Sequence, residues 1–164
     1  MRDIIILAHN IRSAHNVGSI FRTAEGFGVK KIILSGYTPY PVVPNDPRLP
    51  HISAKSTTQI AKTALGAEKL VDFEYSNNLF ETIEHLRSQD YALTALEQAP
   101  NSLKLQDFNA PPRIAILIGE EVHGITPDLL SLADHIVEIP MFGHKESFNV
   151  SVATGIILYR LACE

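Results

Sequence analysis

RIAILIGEEVHGITPDLLSLADHIVEIPMFGHKESFNVSVATGIILYR, residues 113–160, is the stretch that decides the fold. It holds two short apolar runs, residues 114–118 and 135–139, each of a length that suits a buried strand. Each runs into a polar loop with glycine in it, GEEVHG at 119–124 and a second from Met141 to Ser147. A helix-like apolar run, residues 148–161, follows the second loop. In an open α/β sheet, ligands bind in the crevice beyond the carboxyl ends of the strands. Both loops therefore arrive where a small molecule would sit.

The rest of the chain repeats the alternation. Residues 3–8 form a nearly continuous apolar run, as expected of a strand covered on both faces. A polar loop, 9–16, leads to Val17, Ile20, Phe21, Ala24 and Phe27 at helical spacing, with Asn16 placed as the N-cap. Residues 31–35 read as a second strand. Prolines at 39, 41, 44, 47 and 50 make residues 36–50 an irregular loop lying over a site. Residues 52–68 read as one or two short helical turns ending near Gly66. A third strand is expected at 70–75, a helix at 78–88 and a fourth strand at 91–96. Strands alternating with helices at this spacing imply parallel βαβ units. No Pro/Gly/Ser-rich linker interrupts them, so a single domain over residues 1–164 is expected.

Composition narrows the class. The 164 residues are 45% hydrophobic and 20% charged, which excludes a disordered chain and allows a substantial core. A formal charge of −4 provides no global positive field, so nucleic acid would have to be met by a local patch. Cys163 is the only cysteine, which rules out an internal disulfide and a cysteine zinc site. The opening apolar run is too short for a signal peptide or a membrane span, so a cytoplasmic protein is expected.

Several common chemistries are missing. There is no phosphate loop, no G-x-G-x-x-G after the first strand and no G-x-S-x-G elbow. The histidines fall at 9, 15, 51, 85, 123, 135 and 144, without the paired spacing of a metal site, and no metal is expected. Three segments remain. The first, residues 10–24, would present helix N–H groups suited to an anion such as an RNA phosphate, with Arg22 facing away from the apolar stripe. The second is the 119–124 loop, where two glycines allow close backbone approach and Glu121 can accept backbone hydrogen bonds. The third is SFNVSVA, residues 147–153, with small polar Ser147 and Asn149 at a helix start. Taken singly, each has a plainer reading as a cap, a turn or a solvated charge.

Taken together, in this order and at these spacings, the three segments resemble the sequence motifs of the SpoU (TrmH) family of SPOUT-class RNA 2′-O-ribose methyltransferases. Residues 16–24 match the first motif, with Arg22 at the family's catalytic arginine. LIGEEVHGI matches the second, with Glu121 on its glutamate. SFNVSVA matches the third, with Phe148 replacing the more usual leucine. KTALGAE, residues 62–68, also looks like the family's middle, so the resemblance covers essentially the whole chain.

The resemblance implies a parallel sheet flanked by helices with a deep C-terminal trefoil knot, a homodimer, and S-adenosyl-L-methionine as cofactor. It places donor contacts at Leu93, Thr94, Gly119, Ile139, Met141 and Phe148. It assigns the chemistry to Arg22, with Asn16, Glu121, Ser147 and Asn149 beside it. A guanidinium does not readily lose its proton, so Arg22 is read as a fixed cation for a developing alkoxide or a neighbouring phosphate. Arg12, Lys30, Lys31, Arg48 and Lys55 are the basic candidates for RNA, either tRNA or rRNA. The other readings are a non-catalytic RNA- or nucleotide-binding module on the same fold, an unrelated flavodoxin-like protein, and methylation of a base instead of a ribose.

Overall fold

An unbroken apolar strand needs cover on both faces, and the first strand, β1 (Asp3–His9), has it. The computed structural model describes residues 2–163. After β1 come α1 (Ala14–Gly26), β2 (Lys31–Ser35), α2 (Pro50–Ala64), β3 (Phe73–Ser76), α3 (Leu79–Ser88) and β4 (Ala92–Leu96). The chain continues through β5 (Leu103–Lys104), β6 (Arg113–Ile118), α4 (Pro127–Leu130), β7 (His135–Glu138) and α5 (Val150–Cys163). All seven strands join one sheet, ordered β3-β2-β1-β6-β4-β7-β5, and every pairing is parallel.

The register sets the two cores. Ile6 lies opposite Ile32 on one side and Ile116 on the other. On that face Ile4, Ile6, Ile114 and Ile116 lie under Val17, Phe21, Ile60, Ile157 and Leu161, supplied by α1, α2 and α5. Ile5, Leu7, Leu93 and Leu117 point to the other face, under Leu79 and Ile83 of α3 and Leu129 of α4. Phe21 is fully buried and meets Phe73 edge-on at 5.4 Å. Its burial is worth about 1.5–3 kcal/mol relative to exposure.

The chain leaves β1 for α1 on one face and β6 for α4 on the other, and β1 and β6 are neighbours. Adjacent strands whose connections diverge in this way leave a crevice at their carboxyl ends. The loops after β1 and β6 border that crevice.

Several local expectations are corrected. Ser13, not Asn16, caps α1, because its hydroxyl accepts the Asn16 N–H. Residues 50–64 form one helix of 15 residues instead of isolated turns. Pro50 suits its first turn, while Ser53 and Thr57 donate their hydroxyls to the helix's own carbonyls. Leu65, in the left-handed region at φ 52°, ends it. Residues 67–69 are a 3-10 turn and Leu70 is exposed, so the third strand starts at Phe73. The last helix starts at Val150, two residues later than expected. β5 and α4 were not anticipated, since elements of two and four residues are too short to display a period. The proline-bearing stretch 36–50 contains no regular element before α2, as expected.

Candidate active site

Capping by Ser13 leaves the Asn16 side chain free for a longer reach. Its Nδ2 donates to Glu121 Oε1 at 2.9 Å. Its Oδ1 accepts from Asn149 Nδ2 at 3.2 Å. Asn149 in turn opens α5, where its Oδ1 accepts the Ser151 backbone N–H at 2.9 Å and the Ser151 hydroxyl at 2.7 Å. The other Glu121 oxygen faces the Arg12 N–H at 3.5 Å. One chain of side-chain amides and a carboxylate thus joins the loop after β1, the loop after β6 and the start of α5.

Beside this chain lies a cleft of about 350 Å³ at the carboxyl ends of β4, β6 and β7. Leu96, Ile139, Phe148, Val150 and Ala153 give it apolar walls, while Glu97, Glu120, Glu121, Glu138 and Glu146 supply carboxylates. Small-molecule sites commonly pair such apolar walls with a few placed polar groups. The Glu120 carboxyl is held below its ordinary value, chiefly by its hydrogen bond to His123, with Tyr37 and Arg12 acting in the same direction.

The shape of the 119–125 loop has its own cause. A Cβ on Gly119 would meet Ile125 Cγ1 at 2.7 Å, so this glycine is required by packing within the loop. Gly124 sits at φ +68°, and a Cβ there would meet Glu97 Oε2 at 2.2 Å. Glu97 Oε2 accepts the Ile125 N–H at 2.9 Å, and its Oε1 accepts the Gln98 N–H at 2.9 Å. Glu97 therefore holds the loop, whereas Glu121 turns to Asn16. An acidic residue directly after the fourth strand was the available signal.

The other anticipated residues divide. Gly119, Glu121, Ile139, Ser147 and Phe148 line the cleft, and Asn16 and Asn149 adjoin it through Glu121. Leu93 is enclosed by the α3 and α4 core. Thr94 is fully buried in mid-strand, opposite Ile116 and His135, and its Oγ1 has no hydrogen-bond partner. The part of that strand's end which borders the cleft is residues 96–98. Met141 is not among the residues that line the cleft. Arg22 is exposed on α1 and makes no hydrogen bond or ion pair with any described residue. It stands six residues past Asn16, roughly 9 Å along the helix axis, and does not line this cleft.

The basic candidates divide as well. Arg48 stacks over the Tyr40 ring at 3.4 Å and pairs with Asp46 at 2.6 Å, bracing the proline-rich loop. Lys30 pairs with Asp3 at 2.9 Å and Lys31 with Glu74 at 3.0 Å, around the amino end of the sheet. Arg12 is exposed beside Glu120 at the crevice, and Lys55 is exposed on α2. Among the described residues no three His, Cys, Asp or Glu side chains converge as metal ligands would, and no helix is long and apolar enough to cross a membrane.

Residues 3–159 match the sequence model of the SpoU rRNA Methylase family. The chain belongs to that family. Among curated SpoU relatives, it is 28% identical over 158 residues to the tRNA (guanosine(18)-2′-O)-methyltransferase of Aquifex aeolicus, covering 96% of this chain and 68% of that protein. It is 31% identical over 163 residues to the 23S rRNA (guanosine-2′-O-)-methyltransferase of Acinetobacter baylyi, covering 98% of this chain and 59% of that one. The crystal structure of the A. aeolicus TrmH/SpoU tRNA modifying enzyme superposes with a TM-score of 0.81 at 25% identity, covering 99% of this chain and 75% of that one. The chain spans 59% to 68% of the length of the two curated relatives.

Proposed function

We propose that this chain is an S-adenosylmethionine-dependent RNA 2′-O-ribose methyltransferase domain acting on tRNA or rRNA. The observation that carries the reading is the Glu121–Asn16–Asn149 hydrogen-bond chain, which joins three separate segments at the rim of the cleft. The names of the SpoU relatives support the reaction class.

The cleft suits such a donor. Its apolar walls can cover an adenine ring, its strand-end backbone groups can pair with polar atoms, and its carboxylates favour a cation. When bound, S-adenosylmethionine supplies a methyl carbon on a positively charged sulfur. The remaining work falls to the chain. Gly119, Ile139 and Phe148 bound the donor space, together with Leu96 to Gln98 at the end of β4. Ser147 at the rim and the Asn16–Asn149 pair orient the ribose, which lowers the barrier by fixing the attack geometry. Arg22 keeps its proton and offers a fixed positive charge to the ribose oxygen or its phosphate.

Arg22 reaches a cleft through a second copy of the chain. α5 is apolar around its circumference, yet Val152 is 49% and Tyr159 58% exposed. Helices of this kind are ordinarily covered. Thr23, next to Arg22, lies 3.7 Å from the position of a Cβ on Gly155 in α5. A two-fold pairing through α5 buries the face and carries Arg22 toward the partner's cleft. The knotted C-terminus, the single-domain organisation and a cytoplasmic setting belong to the same proposal.

The test is incubation with tRNA and rRNA and labelled donor, followed by digestion to nucleosides and mass spectrometry. A 2′-O-methylated nucleoside is expected. A protein that binds S-adenosylhomocysteine yet labels no RNA, or labels a base, would overturn the reading.

A further inference from the structure

We propose that a second cavity, beyond the carboxyl ends of β1, β2 and β3, binds an unpaired guanine base of the RNA, from a nucleotide flanking the one methylated. The inference rests on the RNA-methylating reading above and names a contact which that reading leaves unassigned. The cavity measures about 340 Å³ and is lined by His9, Ser35, Asn77, Phe80, Thr126 and Asp128, among others.

Three features select the ligand. Phe80, 47% exposed, puts an apolar ring at the cavity wall. Proteins that read single-stranded RNA stack splayed-out bases on such rings and hydrogen-bond their edges. No Lys or Arg lines the cavity, and the Asp128 carboxylate does. That charge opposes a phosphate, despite the α3 N-terminus nearby, and favours N–H donors. An ionised carboxylate only accepts hydrogen bonds. Guanine presents two adjacent N–H donors on its Watson–Crick edge, whereas adenine, cytosine and uracil each set donors beside acceptors there. Half-buried His9, held by Ser35 Oγ at 2.9 Å, and the Asn77 amide are the further polar groups for the remaining edge.

The placement fits a flanking nucleotide. Gly36 lines this cavity, and the side chain of the next residue, Tyr37, is near enough to Glu120 in the donor cleft to help hold that carboxyl down. The Gly36 turn is fixed by the Asn10 side chain, whose Oδ1 accepts the Tyr37 N–H at 3.2 Å. β2 and β4 are three strand spacings apart, roughly 14 Å at about 4.8 Å each. An extended RNA strand crosses that span in a couple of nucleotide steps, so the base held here lies close along the strand to the methylated nucleotide, whose own base stays beside its ribose.

The experiment is an NMR titration of the labelled chain, saturated with S-adenosylhomocysteine to block the cleft. The probes are GMP, AMP, CMP, UMP and ribose 5-phosphate. GMP is expected to shift the amides of Gly36, Asn77 and Leu129 and to bind about tenfold tighter than the other nucleotides, the scale of one good bidentate contact. Asp128→Asn should abolish the preference for GMP, and Phe80→Ala should weaken all four nucleotides. Equal binding of the four, shifts matched by ribose 5-phosphate, or full GMP preference in both variants would overturn the proposal. Because no methyl transfer is read, a chain that binds GMP here but methylates no RNA counts against the enzyme reading alone. A chain that methylates RNA but shows no GMP preference counts against the cavity alone.

Discussion

Asn16 and Glu121 are 105 residues apart in the chain and 2.9 Å apart through Nδ2 and Oε1. A primary amide is required at position 16, because it must donate to Glu121 and accept from Asn149 at the same time. Asn16→Asp would remove the donor and set two carboxylates against each other. The expected result is loss of methyl transfer and about 1–3 kcal/mol of stability. Adding Glu121→Gln should recover much of the stability, since Gln can donate to the new Asp. Urea denaturation of the two variants checks this, and a single variant as stable as the parent would refute the contact.

Arg22 is exposed and does not line its own cleft, so the proposal of a shared site has a sharp test. Arg22→Ala and a Gly119→Val chain, whose added side chain would push the 119–125 loop out of shape against Ile125 and Gly124, should each be inactive alone. Co-refolded, the mixed dimers carry one intact site, restoring about a quarter of the parental activity for random pairing in a two-fold dimer. If the mixture stays inactive while mixed dimers are present, Arg22 does not serve its partner.

Legibility in the sequence followed the length of each signal. The strands 3–8, 31–35 and 114–118 were readable because unbroken apolar runs of that length have few other homes. α2 was underestimated because its buried face needs little more than Ser53, Ile60 and Ala64. A glycine on α1 brings the two helices close, so large residues would not fit between them. The Asn16 cap was misplaced because Ser13 and Asn16 are both good caps, and local propensity does not register a glutamate more than a hundred residues away. The three motif segments were found, but the motifs alone did not indicate that Glu97, not Glu121, holds the loop, or that Leu93 faces the opposite core.

Glu97 gives the next expectation. Its two oxygens hold the Ile125 and Gln98 N–H groups, and no other side chain caps that turn among the described residues. Glu97→Ala should loosen the loop and weaken S-adenosylhomocysteine about tenfold, the effect of roughly 1.4 kcal/mol. Calorimetry reads it directly; unchanged affinity would remove Glu97 from the positioning role.

Gly18 marks the closest approach of α1 and α2. A Cβ there would meet Ile60 O and Thr63 Oγ1, each at 2.2 Å, and a backbone carbonyl cannot rotate away. Gly18→Ala would gain helix propensity, but the clash dominates, for a net loss of about 1–3 kcal/mol. A variant more stable than the parent on thermal melting would show that the helices separate at little cost.

His9 sets a pH dependence whose sign follows from burial. Burial lowers its pKa below the ordinary 6.5, with Asp128 pulling weakly the other way. Above pH 6.5 the imidazole is neutral whether the chain is folded or not, and the full stability is present. Below it the unfolded chain takes up a proton that the folded chain resists, so stability falls until the pH passes the folded pKa. The lowered carboxyls of Asp3, Asp46, Glu120 and Asp128 act at more acid pH, outside this window. His9→Gln keeps a hydrogen-bonding group for Ser35 without a titrating one. Its stability should therefore decline less steeply than the parent's between about pH 7 and 5, as measured by urea denaturation at closely spaced pH values. Parallel profiles for the two proteins would mean that His9 is protonated as readily in the fold as outside it.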